Sequence, residues 1–380
     1  MSWELKTLDK ICTMLSGNAW SASKFKDEGK TPIIRIQNLG NNENEKFIWW
    51  DEPYDEKFIV KKGDILLSLS GSIKIDVWKD RDALLNQRIV KLVPNKDVDN
   101  KWFFWQITNI ILDIERMGKW ALVNNVSITD LKELEIPLPP LATQKRIAKI
   151  LDTADALRRK DQELLKKYDE LAQAIFIDMF GDPVKNEKGW EEIFLKDVCL
   201  KITDGTHQSP KFTDKGVPFL FVSNILKNKI NYETSTFISK EEFDVLNKRT
   251  PIEVGNILIT TVGSYGNPAV IETSSPFAFQ RHIAFLKPNH RLINYYYLFG
   301  FLKSPATKNQ IDRKVNGVAQ KTLNLSDLKD LKIWTPPRSL QDKYSEILNK
   351  LQLQFNLSET NRSKILFNSL IQKAFKGELV

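Results

Sequence analysis

The chain has little of what most catalytic sites are built from. Among its 380 residues there are two cysteines and three histidines. Cys12 and Cys199 are too few for a disulfide framework, so a reducing compartment is the default. His207, His282 and His290 belong to no Cys/His cluster of ligand spacing, and no metal site is expected. Neither G-x-G-x-x-G nor G-x-x-x-x-G-K-[ST] occurs, and Gly29-Lys30-Thr31 lacks the first glycine of the latter. Asp55-Glu56-Lys57 imitates the end of a nuclease carboxylate–lysine motif, yet no Pro-Asp dipeptide exists to begin it. The proline-rich loop of an amino-methyltransferase is missing as well. Pro139-Pro140 has no Asn or Asp before it, and Asn267-Pro268 runs into Ala269-Val270. Neither an enzyme nor a bound cofactor is expected. Apolar runs such as Tyr295–Leu302 are far too short to cross a bilayer. No basic-then-apolar signal segment opens the sequence, so a cytoplasmic location is expected.

What is present is a duplication. Trp3, Leu8 and Cys12 recur as Trp190, Leu195 and Cys199, and TPIIRIQNL (Thr31 to Leu39) answers to VPFLFVSNI (Val217 to Ile225). Gly63–Ser72 answers to Gly255–Ser264, Asn86–Asn95 to Phe279–Asn289, and Leu131–Gln144 to Leu328–Gln341. The two cysteines therefore read as equivalent packed positions. Short β-branched runs bounded by glycine, Ile65–Leu69 and Ile257–Val262, read as strands. Asn100–Met117 and Leu292–Asp312 read as helices. The expected class is α+β, two tandem domains joined by long helices that pair as an antiparallel coiled coil. The boundaries are 1–139 and 181–337 for the domains, 140–180 and 338–380 for the helices.

The first long helix follows a double proline, Pro139-Pro140, that stops whatever precedes it. Its apolar seam is Ile147, Ile150, Ala154, Leu157, Leu164, Tyr168, Leu171 and Ile175, spaced by threes and fours with Asp161 as the one break. An amphipathic helix lying on a globular core is the plainer alternative. The partner seam in the second helix uses Ile347, Leu351, Phe355 and Ile365, among others, and is weaker because Asn356–Arg362 is polar.

Net charge is +8 with a pI near 9.1, which fits a polyanionic partner. Residues 1–189 hold 30 basic and 30 acidic side chains, so the surplus lies in residues 190–380, with 26 against 18. Polar sets recur at matched places. ITDGTHQSPKF (Ile202 to Phe212) is a turn-rich loop whose counterpart is LSGNAWSASKF (Leu15 to Phe25). Gln87-Arg88 and Gln280-Arg281 each precede an apolar strand, and Gln and Arg are the side chains that pair bidentately with adenine and guanine edges. A structural arginine stapling a loop is the competing reading. Gly118–Asn125 and Asn316–Lys321 add two further polar loops.

Taken together, these features resemble the specificity (S) subunits of type I restriction–modification systems. The residues that carry the resemblance are Asp204-Gly205-Thr206-His207, Gly63-Asp64-Ile65-Leu66 with Gly255-Asn256-Ile257-Leu258, the PLPPLATQKRIAKILD segment, Met179–Pro183 and the closing KAFKGEL. The resemblance implies two target-recognition domains, each reading half of a bipartite duplex DNA site across a fixed gap. It also implies partners: two modification subunits that methylate adenine, and restriction subunits that cleave. The polar sets then become candidate DNA contacts: Asn18, Trp20, Ser72, Lys74, Gln87, Arg88, Lys119 and Asn124 in the first repeat. In the second they are Asp204, Thr206, His207, Gln208, Ser264, Tyr265, Gln280, Arg281, Asn316, Gln320 and Lys321. The first repeat departs from the pattern: it has no Asp-Gly-Thr-His, and Lys74 is expected where the second has Gly266. A stand-alone nuclease or methyltransferase is the alternative from another class, and a purely structural scaffold a third.

Overall fold

The computed structural model describes residues 3–40, 46–71, 73–116, 127–315, 321–357 and 360–379, with side chains considered for all of these except 112–116, 352–357, 360 and 361. The chain divides into two compact units: Met1–Gln162 with Glu359–Val380, and Glu163–Ser358.

In the first unit an antiparallel sheet is formed by β1 (Cys12–Ser16), β2 (Ile65–Ser68), β3 (Ile75–Val77) and β4 (Ile89–Pro94), in the order β1-β4-β2-β3. The second unit repeats it with β5 (Cys199–Asp204), β6 (Ile257–Thr260), β7 (Pro268–Val270) and β8 (Ile283–Pro288), in the order β5-β8-β6-β7. The cysteines are equivalent in register, Cys12 opposite Pro94 and Cys199 opposite Pro288. Burial pushes the Cys12 thiol up to about 11 and that of Cys199 up to about 12, as packed rather than reactive sulfurs require. A second sheet in each unit contains one parallel pair, Thr31–Ile34 with Ala83–Leu85 and Val217–Leu220 with Ala278–Phe279. A third pairing ties Glu4–Thr7 to Glu135–Leu138, and Glu191–Phe194 to Lys332–Thr335.

The helices used below are α1 (Asn100–Arg116), α2 (Leu141–Phe180), α3 (Lys240–Arg249), α4 (Tyr295–Leu302), α5 (Pro305–Lys314), α6 (Arg338–Leu357) and α7 (Thr360–Lys376). The expected helix over Leu292–Asp312 is two helices. Ser304 caps the second through the Thr307 N–H, and Pro305, which has no N–H to lose, begins it.

The repeated Pro-Pro-x-x-x-Gln has a packing cause. Gln144 and Gln341 are each 1% exposed. The Gln144 amide donates to Pro139 O at 2.8 Å and its carbonyl accepts from Asp99 N at 2.7 Å. Gln341 donates to Pro336 O at 2.8 Å and accepts from Asn294 N at 2.9 Å. Each glutamine thus ties the start of a long helix to the strand before it and to the entry of α1 or α4.

Inside the first unit the direction of pairing follows from α1. Asp99 meets Gln144 and Trp105 meets Asp152, so α1 and α2 run the same way. Trp102 meets Phe375 and Trp105 meets Phe367, so α7 runs the opposite way. α2 and α7 are therefore antiparallel there, and Arg158 lies over the Phe367 ring at 5.3 Å. Ile147, Leu151 and Ala154 share one core with Phe367, Ile371 and Ala374.

Ile150, Tyr168 and Ile175 are half-buried, as are Ile347 and Leu351. In the second unit the deepest residues of α2 are Phe176 and Phe180, whose rings lie 5.5 and 5.4 Å from Tyr344 of α6. A straight helix drifts about 20° per heptad from a strict seven-residue repeat. Over four heptads that moves the buried stripe by nearly one position, from Ile175 to Phe176. Between these ends Leu157, Leu164 and Leu171 are 46%, 36% and 44% exposed. Ile365 is 65% exposed and is not a seam residue; the α7 stripe runs through Phe367, Ile371 and Ala374. Phe355 lies in α6, with its side chain outside the described set.

Charge divides by unit differently from the way it divides by sequence half. The first unit carries 30 basic and 26 acidic residues and the second 26 and 22, so each is +4.

Candidate nucleic-acid interface

In both units one set of backbone hydrogen bonds draws the same segments together. Gly205 N–H donates to Ile283 O at 3.1 Å, Thr206 N–H to Phe279 O at 3.1 Å, and Arg281 N–H to Thr206 O at 3.0 Å. In the first unit Gly17 donates to Ile89 at 3.2 Å, Asn18 to Leu85 at 3.0 Å, and Gln87 to Asn18 at 2.9 Å. A further strap joins Thr261 to His282 and, in the first unit, Leu69 to Arg88, both at 2.9 Å. The glycines are required by close approach. A Cβ on Gly205 would stand 2.2 Å from Phe279 O, and one on Gly17 would stand 2.1 Å from Asn86 O.

These bonds correct the repeat alignment by one residue. Asn86 is the equivalent of Gln280, Gln87 of Arg281 and Arg88 of His282, so the shared Gln-Arg dipeptide is a coincidence of letters. Lys74 matches Asn267 rather than Gly266. Ser68 N–H donates to Lys74 O as Thr260 N–H does to Asn267 O, and the hydroxyls of Ser68 and Thr260 accept the returning N–H in each case. Ser16-Gly17-Asn18-Ala19 stands where the second unit has Asp204-Gly205-Thr206-His207.

The side chains differ widely on this common frame. In the first unit the Trp20 ring packs 5.0 Å from Trp50 and 5.7 Å from Phe58, and its N–H donates to Leu85 O. The ring is half-buried and fixed in place by these contacts. Lys74 is half-buried with its ammonium 3.4 Å from Leu39 O, whereas Gln87 and Arg88 are exposed, Arg88 touching Ser70 at 3.3 Å. In the second unit His207, Gln208, Ser264, Arg281 and Lys321 are exposed and Thr206 and Gln280 half-buried. Thr206 donates its hydroxyl to Gln208 O at 2.9 Å. Tyr265 donates to Asp312 of α5 at 3.0 Å while Lys308 sits 4.2 Å above its ring. The Lys308 ammonium, then the Tyr265 hydroxyl, hold the Asp312 carboxyl below its ordinary value. Burial lowers His282, helped by the neighbouring charges of Arg281 and His207. A bridge between Val262 and Thr322 brings Lys321 to the same edge. Ser72, Lys119, Asn124, Asn316 and Gln320 lie outside the described residues.

Sequence reasoning missed one participant. Arg249, the last residue of α3, donates to Asp204 Oδ1 at 2.5 Å and to Thr203 Oγ1 at 3.4 Å. It lies 45 residues from Asp204 with no spacing signal to link them.

The family model for the type I restriction modification DNA specificity domain matches twice, over residues 1–167 and 187–366. The chain belongs to that family. Each match covers one repeat of the specificity fold. Among specificity subunits, that of the type I restriction enzyme EcoBI from Escherichia coli is 25% identical over all of this chain and 86% of its own length. The MjaVIII specificity subunit of Methanocaldococcus jannaschii is 26% identical, covering 98% of this chain and 90% of its own. The crystal structure of an S subunit from M. genitalium superposes with a TM-score of 0.57 at 18% identity, over 98% of this chain and 96% of that one, which shows the shared fold. Among the described residues no helix is long and apolar enough to cross a membrane.

Proposed function

We propose that the chain reads a bipartite duplex DNA target, one half-site per recognition domain, and hands that position to partner subunits that methylate and cleave. The observation that supports this most strongly is the doubled frame with unlike side chains. Equivalent backbone positions carry Asn18 and Thr206, Asn86 and Gln280, Gln87 and Arg281, Arg88 and His282. A fixed scaffold that varies only what it presents is what reading two different half-sites needs, since bases are told apart by donor and acceptor patterns. The recognition domains are 1–139 and 181–337, and the helical stretches 140–180 and 338–380 space them. The chain performs no chemistry itself and holds no cofactor. Two modification subunits supply methyl transfer, restriction subunits supply cleavage, and the complex works in the cytoplasm where its DNA lies.

The test is to sequence methylated positions in DNA exposed to this chain together with its modification partner. A two-part motif with a constant unread gap is the expected result. Methyl transfer by the chain alone, or a single undivided motif, would overturn the reading.

A further inference from the structure

A carboxylate on a DNA-facing surface is an electrostatic liability, because it repels phosphate. Asp204 stands in the middle of the second unit's candidate interface and is nonetheless only 13% exposed. Both of its oxygens are engaged. Oδ1 accepts from Arg249 Nη2 at 2.5 Å, and Oδ2 accepts from His207 Nε2 at 2.7 Å. Arg249 and His207 themselves remain 51% and 56% exposed. The carboxylate is therefore covered by the two side chains it holds, and those two face outward.

A carboxylate only accepts, so both side chains donate to it, His207 through Nε2 and Arg249 through Nη2. The Arg249 guanidinium has Nη1 and Nε without a protein partner among the described residues, and both are donors. One carboxylate thus holds two exposed side chains side by side, and the guanidinium keeps donors to spare. In the major groove such donors complement the acceptors of a base edge, such as purine N7.

The supports of the pair are built in. Lys201 Nζ donates to Arg249 O at 2.5 Å and so holds the end of α3 against β5. Gly205, with no room for a Cβ, fixes the loop that carries His207 against Gln280. In the first unit Ser16 and Ala19 occupy the positions of Asp204 and His207, so the pair is not repeated there among the described residues.

Resting on the DNA-reading function above, we infer that Asp204 is a positioning residue, and that it presents Arg249, as a donor, together with His207 to one base-pair edge of the second unit's half-site.

The test uses the full chain assembled with its modification partner, with methylated sites sequenced from a random DNA library. Arg249→Ala and Asp204→Ala should each relax discrimination at the same single position, by roughly 5- to 100-fold. The double variant should lose little more than R249A alone, because the two act as one unit. Asp204→Asn keeps an acceptor for Arg249 and should retain more discrimination than D204A. The other half-site should be unchanged throughout. Loss at two unrelated positions, additive losses, or a uniform fall over all sequences would each overturn the proposal, the last marking Arg249 as a phosphate contact. Thermal melting of the assembled variants separates unfolding from misreading; if D204A does not assemble, R249A and Arg249→Lys decide, and an unchanged motif in both overturns the proposal. Failure of the wild-type complex to give a two-part motif would instead remove the DNA-reading function beneath it.

Discussion

Asp204, Gly205 and Arg249 show how differently single residues disclose their roles. Asp204 was visible in the sequence as part of a turn-rich polar loop, but its engagement of Arg249 depends on a helix ending 45 residues later. Nothing in the spacing of letters joins them. The Gln-Arg pairs misled for a related reason. Loops of unequal length between the strands that begin at Ile65 and Ile257 and the segments that end at Leu85 and Phe279 shift the repeats, and chance identity then pulls the alignment one residue out of place. The backbone bonds around Asn18 and Thr206 restore it. Gly205 offers a direct check at this scale. Gly205→Ala would drive a methyl into the carbonyls of Phe279 and Gln280, neither of which is a flexible side-chain end. It should cost about 1–3 kcal/mol of stability as overpacking does. It should also relax reading in the second unit's half-site alone. Thermal denaturation with target profiling checks both, and an unchanged melting temperature would mean that the loop yields freely.

Among the elements, the long helices were the most legible, because a seam of threes and fours sustained over α2 marks a long helix with one apolar face, whatever covers it. What periodicity could not supply was where the stripe turns. The seven-residue repeat pointed to Ile175 and Ile365, while the helix places Phe176, Phe180 and Phe367 inward. The double proline was legible as punctuation, and the glutamine five residues after its first proline was legible only as a repeated letter. Its function is mechanical: it closes hydrogen bonds that three elements would otherwise leave open in a dry place. Gln341→Leu keeps the volume but orphans the buried Asn294 N–H and Pro336 O. Each such orphan costs about 1–3 kcal/mol. A loss of roughly 2 kcal/mol or more is expected in denaturant unfolding, and Gln144→Leu should behave alike in the first unit. A neutral outcome for both would show that water enters and replaces them.

For the whole molecule, the duplication carried most of the prediction, since two copies of one domain tied by two helices leave few architectures. The charge divides differently in the fold. Counted by halves the sequence is 0 and +8, yet the units are +4 each because the helices redistribute the excess. Phosphate affinity is therefore expected from both units. The length of α2, 40 residues, corresponds to about 60 Å at 1.5 Å per residue. Deleting one heptad from each long helix keeps the seam and removes about 10 Å. In the assembled complex the two half-sites should stay as they are while the unread gap contracts by about three base pairs at roughly 3.4 Å each. If such a variant methylates with the original gap, the helices do not set it.

The division of the chain into Met1–Gln162 with Glu359–Val380 on one side, and Glu163–Ser358 on the other, also orders events on the ribosome. The second unit is uninterrupted, so every residue it needs has been made while the first still lacks Phe367, Ile371 and Ala374 from its core. The unit that starts first is finished last. A nascent chain cut short before α7 would release a closed second unit beside an open first one, with Ile147, Leu151 and Trp105 uncovered for chaperones and proteases to find. The first unit's core thus closes only once α7 has been made.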